Sequence, residues 1–223
     1  ATITPGFYRI PLPTVLTDST HGQMAAFELV TVRVVDAEGV EGVGYTYTVG
    51  RNGGAILDTL AREIVDLARG HDADRIEELW QKLWWALHYG GRGGPTVLAL
   101  SAFDIALWDL KAKRAGTALW RLLGGHGQRV SCYAGGIDLD LPLDALLAQT
   151  DANLERGFRA IKMKVGRVRL AEDVERIDAM RAHLGDGFPL MVDANMKWTA
   201  DQAIRAARAF QPYDLTWLEE PTS

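Results

Sequence analysis

With 223 residues, 48% of them hydrophobic and 24% charged, the chain has the composition of a soluble globular protein with one large or two ordinary domains. A net charge of −5 with scattered Lys and Arg gives no reason to expect nucleic acid, and the longest apolar runs fall far short of the roughly 20 residues that span a membrane. Cys132 is the only cysteine, which excludes an intrachain disulfide and points to a reducing, cytoplasmic compartment. The first residues lack a basic segment followed by an apolar one, and Pro5, Pro11 and Pro13 interrupt them, so no signal peptide is expected.

Phe7–Leu12, Ala26–Val35 and Gly42–Thr48 are rich in β-branched and aromatic residues and read as strands, the last two joined in a hairpin through Asp36–Gly39. Between the first two lies Pro13–Met24, polar and without helical periodicity, which reads as a long loop. Loops of that length in a compact domain are more often functional than idle; His21 is its obvious chemical group, with a bland surface residue as the alternative. Val49–Gly54 (VGRNGG) reads as flexible, and without a terminal Lys-Ser/Thr it is no phosphate-binding loop.

Helices follow. Gly54–Ala68 places Ile56, Leu57, Leu60, Ile64 and Leu67 on one side, and Ala73–Leu87 does the same with Ile76, Leu79, Leu83 and Leu87. Trp80, Trp84 and Trp85 read as core or subunit contact, and a homo-oligomer is expected. Pro95 suits the first position of a helix continuing over Thr96–Ala115, with Gly116 as its stop. Asp104 and Asp109 within it read as structural.

After Gly124–Gln128 short strand-like runs alternate with helical ones: Val130–Ala134, Pro142–Arg156, Ala160–Val165, Leu170–Leu184, Leu190–Asp193, Thr199–Phe210 and Thr216–Glu219. Such alternation gives a parallel sheet with right-handed crossovers. The expected division is residues 1–125 and 126–223, the second part being four strands of a (β/α)-barrel that typically needs about 250 residues.

Three of these strands carry charged tips. Side chains alternate along a strand, so Ile161, Met163 and Val165 share one face of IKMKV and Lys162 and Lys164 the other. Two ammonium groups about 7 Å apart repel, which favours a neutral, basic form of one of them; the alternative is an edge strand with two solvated lysines. Asp193 shares its face with Asn195, and Glu219 with Trp217. Two carboxylates meeting at a rim suit a hard metal such as Mg²⁺, unless they merely cap the helices that follow.

Lys162-x-Lys164, Asp193 within VDAN, Glu219 within WLEEP, the intervals of 29 and 26 residues between Lys164, Asp193 and Glu219, and DIALWDLKAK at Asp104–Lys113 together resemble the mandelate racemase/muconate lactonizing enzyme branch of the enolase superfamily. The resemblance runs over essentially the whole chain. It implies an α+β capping domain followed by a (β/α)₇β barrel, with Asp193 and Glu219 as Mg²⁺ ligands. It makes Lys164 the acid/base that removes the proton α to a carboxylate, tuned by Lys162.

Family members are longer, and the third metal ligand and later strands of that pattern are absent, so the chain is expected to be part of a longer protein or to need a complementing one. GYTYT at Gly44–Thr48, HYGGRGG at His88–Gly94 and CYAGGIDL at Cys132–Leu139 are similar to a subgroup of sugar-acid cycloisomerases and dehydratases. That resemblance implies a small carboxylate substrate, with Asn195, His21, Gln23, Tyr47 and Arg51 as binding candidates. A racemase or epimerase with the same half-site, a metal-free aldolase using Lys164 as a Schiff base, and an inactive binding or assembly module are the rival readings.

Overall fold

The computed structural model describes residues 2–223. Two compact units divide the chain: residues up to Pro13 with Ala25–Gln128 form the first, and Thr14–Met24 with Arg129–Ser223 form the second. Among the described residues no helix is long and apolar enough to cross a membrane.

The chain opens with a three-stranded sheet, β1 (Thr2–Asp18), β2 (Gly22–Val35) and β3 (Glu41–Thr48), in that order. β1 lies at the edge, which is where its prolines are tolerated, because an edge strand has one row of unpaired N–H positions. Only Ser19–His21 separate β1 from β2, so the expected long loop over Pro13–Met24 is instead two strand ends and a tight turn. Its polar residues belong to strands because one carboxylate stabilises the reversal: Asp18 accepts the N–H groups of Thr20 at 2.9 Å and His21 at 2.6 Å. The β2–β3 turn is held alike, with Asp36 accepting from the backbone of Glu38 and Val40.

In the first unit, alternate β2 residues Val30, Val32 and Val34 enter the core. α4 (Gly94–Arg114), with Pro in its first turn, packs directly on β3. Gly44 permits that approach, since a Cβ there would strike the Ala102 carbonyl. The helix expected over Gly54–Ala68 has three parts: α1 (Gly53–Asp58), a π-helical stretch (Thr59–Ile64) and α2 (Val65–Ala68). Its buried residues Ile56, Leu60, Ile64 and Ala68 recur every four positions. At 3.6 residues per turn a four-residue stripe drifts by about 40° per step, and the wider π turns keep it on one face. α3 (Ile76–Leu87) stacks Trp80 on Trp84 with ring centroids 6.2 Å apart, both packed against this core, while Trp85 is exposed. A short α5 (Leu119–Leu122) follows.

The second unit is an α/β layer. β4 (Ala134–Gly135), β5 (Ile161–Lys164), β6 (Leu190–Asp193) and β7 (Leu218–Glu219) form a parallel sheet in chain order. The intervening α6 (Leu143–Glu155), α7 (Leu170–Leu184) and α8 (Ala200–Phe210) are its crossovers. β4 is shorter and later than the Val130–Ala134 expectation, because Val130 is 87% exposed and has no core to join. Ile161, Met163 and Val165 enter the core with Ile177, Met180, Leu190 and Val192.

Candidate active site

Strand register brings the charged tips into one row. Lys164 pairs with Asp193 across β5–β6, and Asp193 with Glu219 across β6–β7. Lys164 Nζ donates to Asp193 Oδ2 at 2.7 Å, and both residues are buried, with exposures of 7% and 2%. Lys162, one turn of the pleat earlier, reaches over β6: its Nζ donates to Glu219 Oε1 at 2.7 Å and lies 3.5 Å from Asp193 Oδ2. The reading of two solvated lysines on an edge strand therefore fails. The Thr199 hydroxyl, not Asp193, caps α8 through Gln202 N–H.

Of the two lysines, Lys162 is held in its charged form. Burial alone would lower its ammonium, but the hydrogen bond to Glu219 and the charges of Asp193 and Glu219 outweigh burial and raise it above the ordinary lysine value. Tyr133 adds to that hold: its ring centroid is 5.3 Å from Lys162 Nζ and stands edge-on to Trp217 at 5.4 Å. Trp217 Nε1 in turn donates to Glu219 Oε2 at 3.0 Å.

Asn195 shares the rim. Its N–H donates to Asp193 Oδ1 at 2.9 Å, while its side-chain Oδ1 is buried without a partner. Asn195 and Met196 have φ of 46° and 60°, consecutive left-handed conformations that cost of order 1–3 kcal/mol each in residues other than glycine. Such strain persists only where neighbours enforce it. Here Met196 N–H donates to Glu220 O at 2.6 Å and Lys197 N–H to Ala194 O at 3.1 Å.

Of the other sequence candidates, His21 stands at the hairpin tip with Nδ1 2.7 Å from Asp18 Oδ2, and Gln23 is exposed beside it in β2. Burial would raise the Asp18 carboxyl, but the bonds from His21 and Thr20 hold it below its ordinary value. Tyr47 and Arg51 belong to the first unit, where Tyr47 lies edge-on to Phe27 at 5.8 Å and Arg51 is exposed.

Sequence reasoning missed Asp138, buried to 3% exposure. It accepts the Lys164 N–H at 2.9 Å and Gln149 Nε2 at 3.0 Å, so it anchors the strand carrying both lysines. Burial pushes its carboxyl above the ordinary range, against those bonds and the nearby Arg176 and Lys164 charges. Its place in a glycine-rich run (GGIDLD) hid it. Ser19 and Thr20, whose hydroxyls bond the backbone after β6, were missed for the same kind of reason.

Among the described residues no group of three His, Cys, Asp or Glu is arranged to hold a metal ion. The two carboxylates Asp193 and Glu219, with the orphaned Oδ1 of Asn195 two residues after Asp193, form an oxygen-only donor set that fits a hard divalent cation as part of its shell. In the protein alone the Lys162 ammonium joins the two carboxylates.

Comparison with known proteins agrees with this architecture. Residues 8–124 match the family model described as mandelate racemase/muconate lactonizing enzyme, N-terminal domain, and residues 145–223 match the enolase C-terminal domain-like model. The chain is 61% identical over 215 residues to 3,6-anhydro-alpha-L-galactonate cycloisomerase of Streptomyces coelicolor, covering 96% of this chain and 60% of that protein. A structure of a racemase from the same species with bound magnesium superposes with a TM-score of 0.98 at 59% identity, over 100% of this chain and 62% of that one. L-Talarate dehydratase from Polaromonas sp. JS666, complexed with Mg and L-glucarate, superposes with a TM-score of 0.90 at 39% identity, over 99% of this chain and 61% of that one. The chain thus spans about three-fifths of the length of these relatives, and it belongs to the mandelate racemase/muconate lactonizing enzyme family of the enolase superfamily.

Proposed function

We propose that this chain supplies one part of the active site of a Mg²⁺-dependent sugar-acid cycloisomerase or dehydratase, in which Lys164 removes the proton α to the substrate carboxylate. The observation that carries this reading is the single row formed by Lys164, Asp193 and Glu219, with Lys162 bridging the two acids. Relatives that act on anhydro-sugar acids and aldarates, some with bound magnesium, support it.

Asp193 and Glu219 would hold the cation, which when bound stabilises negative charge on the substrate carboxylate as the α-proton leaves. Lys164 Nζ is the proton acceptor, held on the strand by Asp138 through its backbone. Lys162, kept charged by its neighbours, neutralises the substrate carboxylate. His21 and Gln23 at the hairpin tip would sort the polar end of the sugar acid, and Asn195 would contact it from the rim. A cytoplasmic setting and a homo-oligomeric assembly belong to the same reading.

Dialysis of the full-length polypeptide against EDTA should abolish turnover of an anhydro-sugar acid or aldarate, and Mg²⁺ should restore it. Turnover indifferent to EDTA, with a substrate adduct trapped on Lys164 by borohydride, overturns the proposal in favour of Schiff-base chemistry.

A further inference from the structure

Two hydroxyls at the tip of the β1–β2 hairpin bond the backbone of one tetrapeptide, Ala194–Lys197. Ser19 Oγ donates to Ala194 O at 2.6 Å, and Thr20 Oγ1 donates to Asn195 O. Lys197 Nζ returns a bond to Ser19 O at 3.1 Å. This tetrapeptide contains the consecutive left-handed residues Asn195 and Met196, a pairing that residues with a Cβ adopt rarely. Relaxation of the turn would swing the Asn195 N–H away from Asp193 Oδ1, the one hydrogen bond to that oxygen among the described residues, while Oδ2 is held by Lys164 and Asn195 Nδ2.

The hairpin tip is itself seated from two sides. Thr17 exchanges backbone bonds with the β4–α6 loop, accepting from Leu139 N–H at 3.2 Å and donating to Ile137 O at 3.4 Å. Gly166, two residues after β5, has φ 102° and would bring any Cβ within 2.8 Å of Ser19 Cβ, so the tip rests against the β5–α7 loop without a side chain between them. The clamp on Ala194 and Asn195 thus pulls from a fixed base.

We infer that Ser19 and Thr20 are positioning residues for the Asp193 carboxylate, clamping the strained turn after β6 so that Asp193 is aimed at a divalent cation. The inference rests on the reading of Asp193 as a metal ligand. Hydroxyls are needed because the groups they bond are peptide carbonyls: with carbon there, Asn195 O would lose the Thr20 bond and Ala194 O would keep only the Lys197 N–H.

The test uses Mn²⁺ as the probe, titrated into the full-length polypeptide and followed by EPR, with thermal melting alongside. Ser19→Ala combined with Thr20→Val should raise the Mn²⁺ Kd roughly tenfold, the lower end of losses seen on removing partners that orient a ligand. Thr20→Ser alone keeps both hydroxyls and should bind as the wild type does. A cooperatively melting double variant with unchanged Mn²⁺ affinity overturns the inference. Should that variant not fold, Ser19→Ala and Thr20→Val are titrated singly; a smaller loss in each supports the clamp, and unchanged affinity in both refutes it. Asp193→Asn separates the two levels: Mn²⁺ binding that survives Asp193→Asn refutes the metal-ligand reading itself, whereas loss in Asp193→Asn with none in the hydroxyl variants refutes only the clamp.

Discussion

Lys162 on β5 donates to Glu219 on β7 at 2.7 Å although β6 lies between their strands. The bond passes over Asp193, whose Oδ2 is 3.5 Å from the same ammonium. Lys162 therefore bridges two carboxylates that strand register would otherwise leave facing each other, with Lys164 as a second cation on Asp193.

Replacing that cation with an uncharged side chain of similar length tests the relationship. Lys162→Met should lower the melting temperature of the metal-free protein, by less than the roughly 3–5 kcal/mol of a fully buried broken pair, because Glu219 is partly exposed. Added Mg²⁺ should raise the melting temperature more in the variant than in the wild type, since Glu219 then has no ammonium partner and Asp193 keeps only that of Lys164. An equal or smaller Mg²⁺ shift in the variant contradicts the bridging role.

Asp193→Asn retains the shape of the side chain and removes its charge. Isothermal titration with Mg²⁺ should show a loss beyond the roughly 10–100-fold typical of groups that only orient a ligand. Asp193 also accepts from the buried Lys164 ammonium, so the variant should lose stability as well. Unchanged Mg²⁺ affinity would remove Asp193 from the metal site.

Asp138 predicts a pH dependence with a definite sign. Burial raises its carboxyl above the ordinary value, so the folded state binds that proton more tightly than the unfolded chain does. The resulting stabilisation is full below the unfolded pKa and is lost as pH rises through the folded one. Asp138→Asn has no proton to lose and can still accept from Lys164 N–H. Chemical denaturation of both proteins should show the variant gaining on the wild type as pH rises above the ordinary aspartate value; a flat or opposite difference rejects the assignment.

Gly44→Ala should destabilise the first unit by about 1–3 kcal/mol, the usual cost of overpacking a close-packed contact, because the new methyl meets the Ala102 carbonyl. Urea unfolding would register it. A neutral result would mean that α4 and β3 can separate without loss.

The alternating grammar after Gly124 was legible because a buried parallel strand and its crossover helix have different periods. Strand parity alone turned Lys162 and Lys164 away from Ile161, Met163 and Val165, whose exposures are 4% or less. The hairpin arm was not legible: Thr17, Asp18, Ser19 and Thr20 read as loop by composition. They become strand and turn through Asp18 and through bonds to residues more than 100 positions away. Asp138 escaped notice for a similar reason, since its burial depends on Lys164 and Gln149. Repulsion between two lysines was sound as an isolated argument, yet it omitted the acids that register brings to them. The π-helical stretch has a sequence sign, the four-residue spacing of Ile56, Leu60, Ile64 and Ala68, which a 3.6-residue template absorbs unnoticed.

The central claim is that Lys164 moves the α-proton. Proton NMR in D₂O of a sugar acid incubated with the full-length Lys164→Ala polypeptide and Mg²⁺ reads this directly, with metal affinity measured on the same sample. The account predicts that exchange at the α-carbon disappears while Mg²⁺ binding stays nearly intact; exchange persisting at the wild-type rate would contradict it.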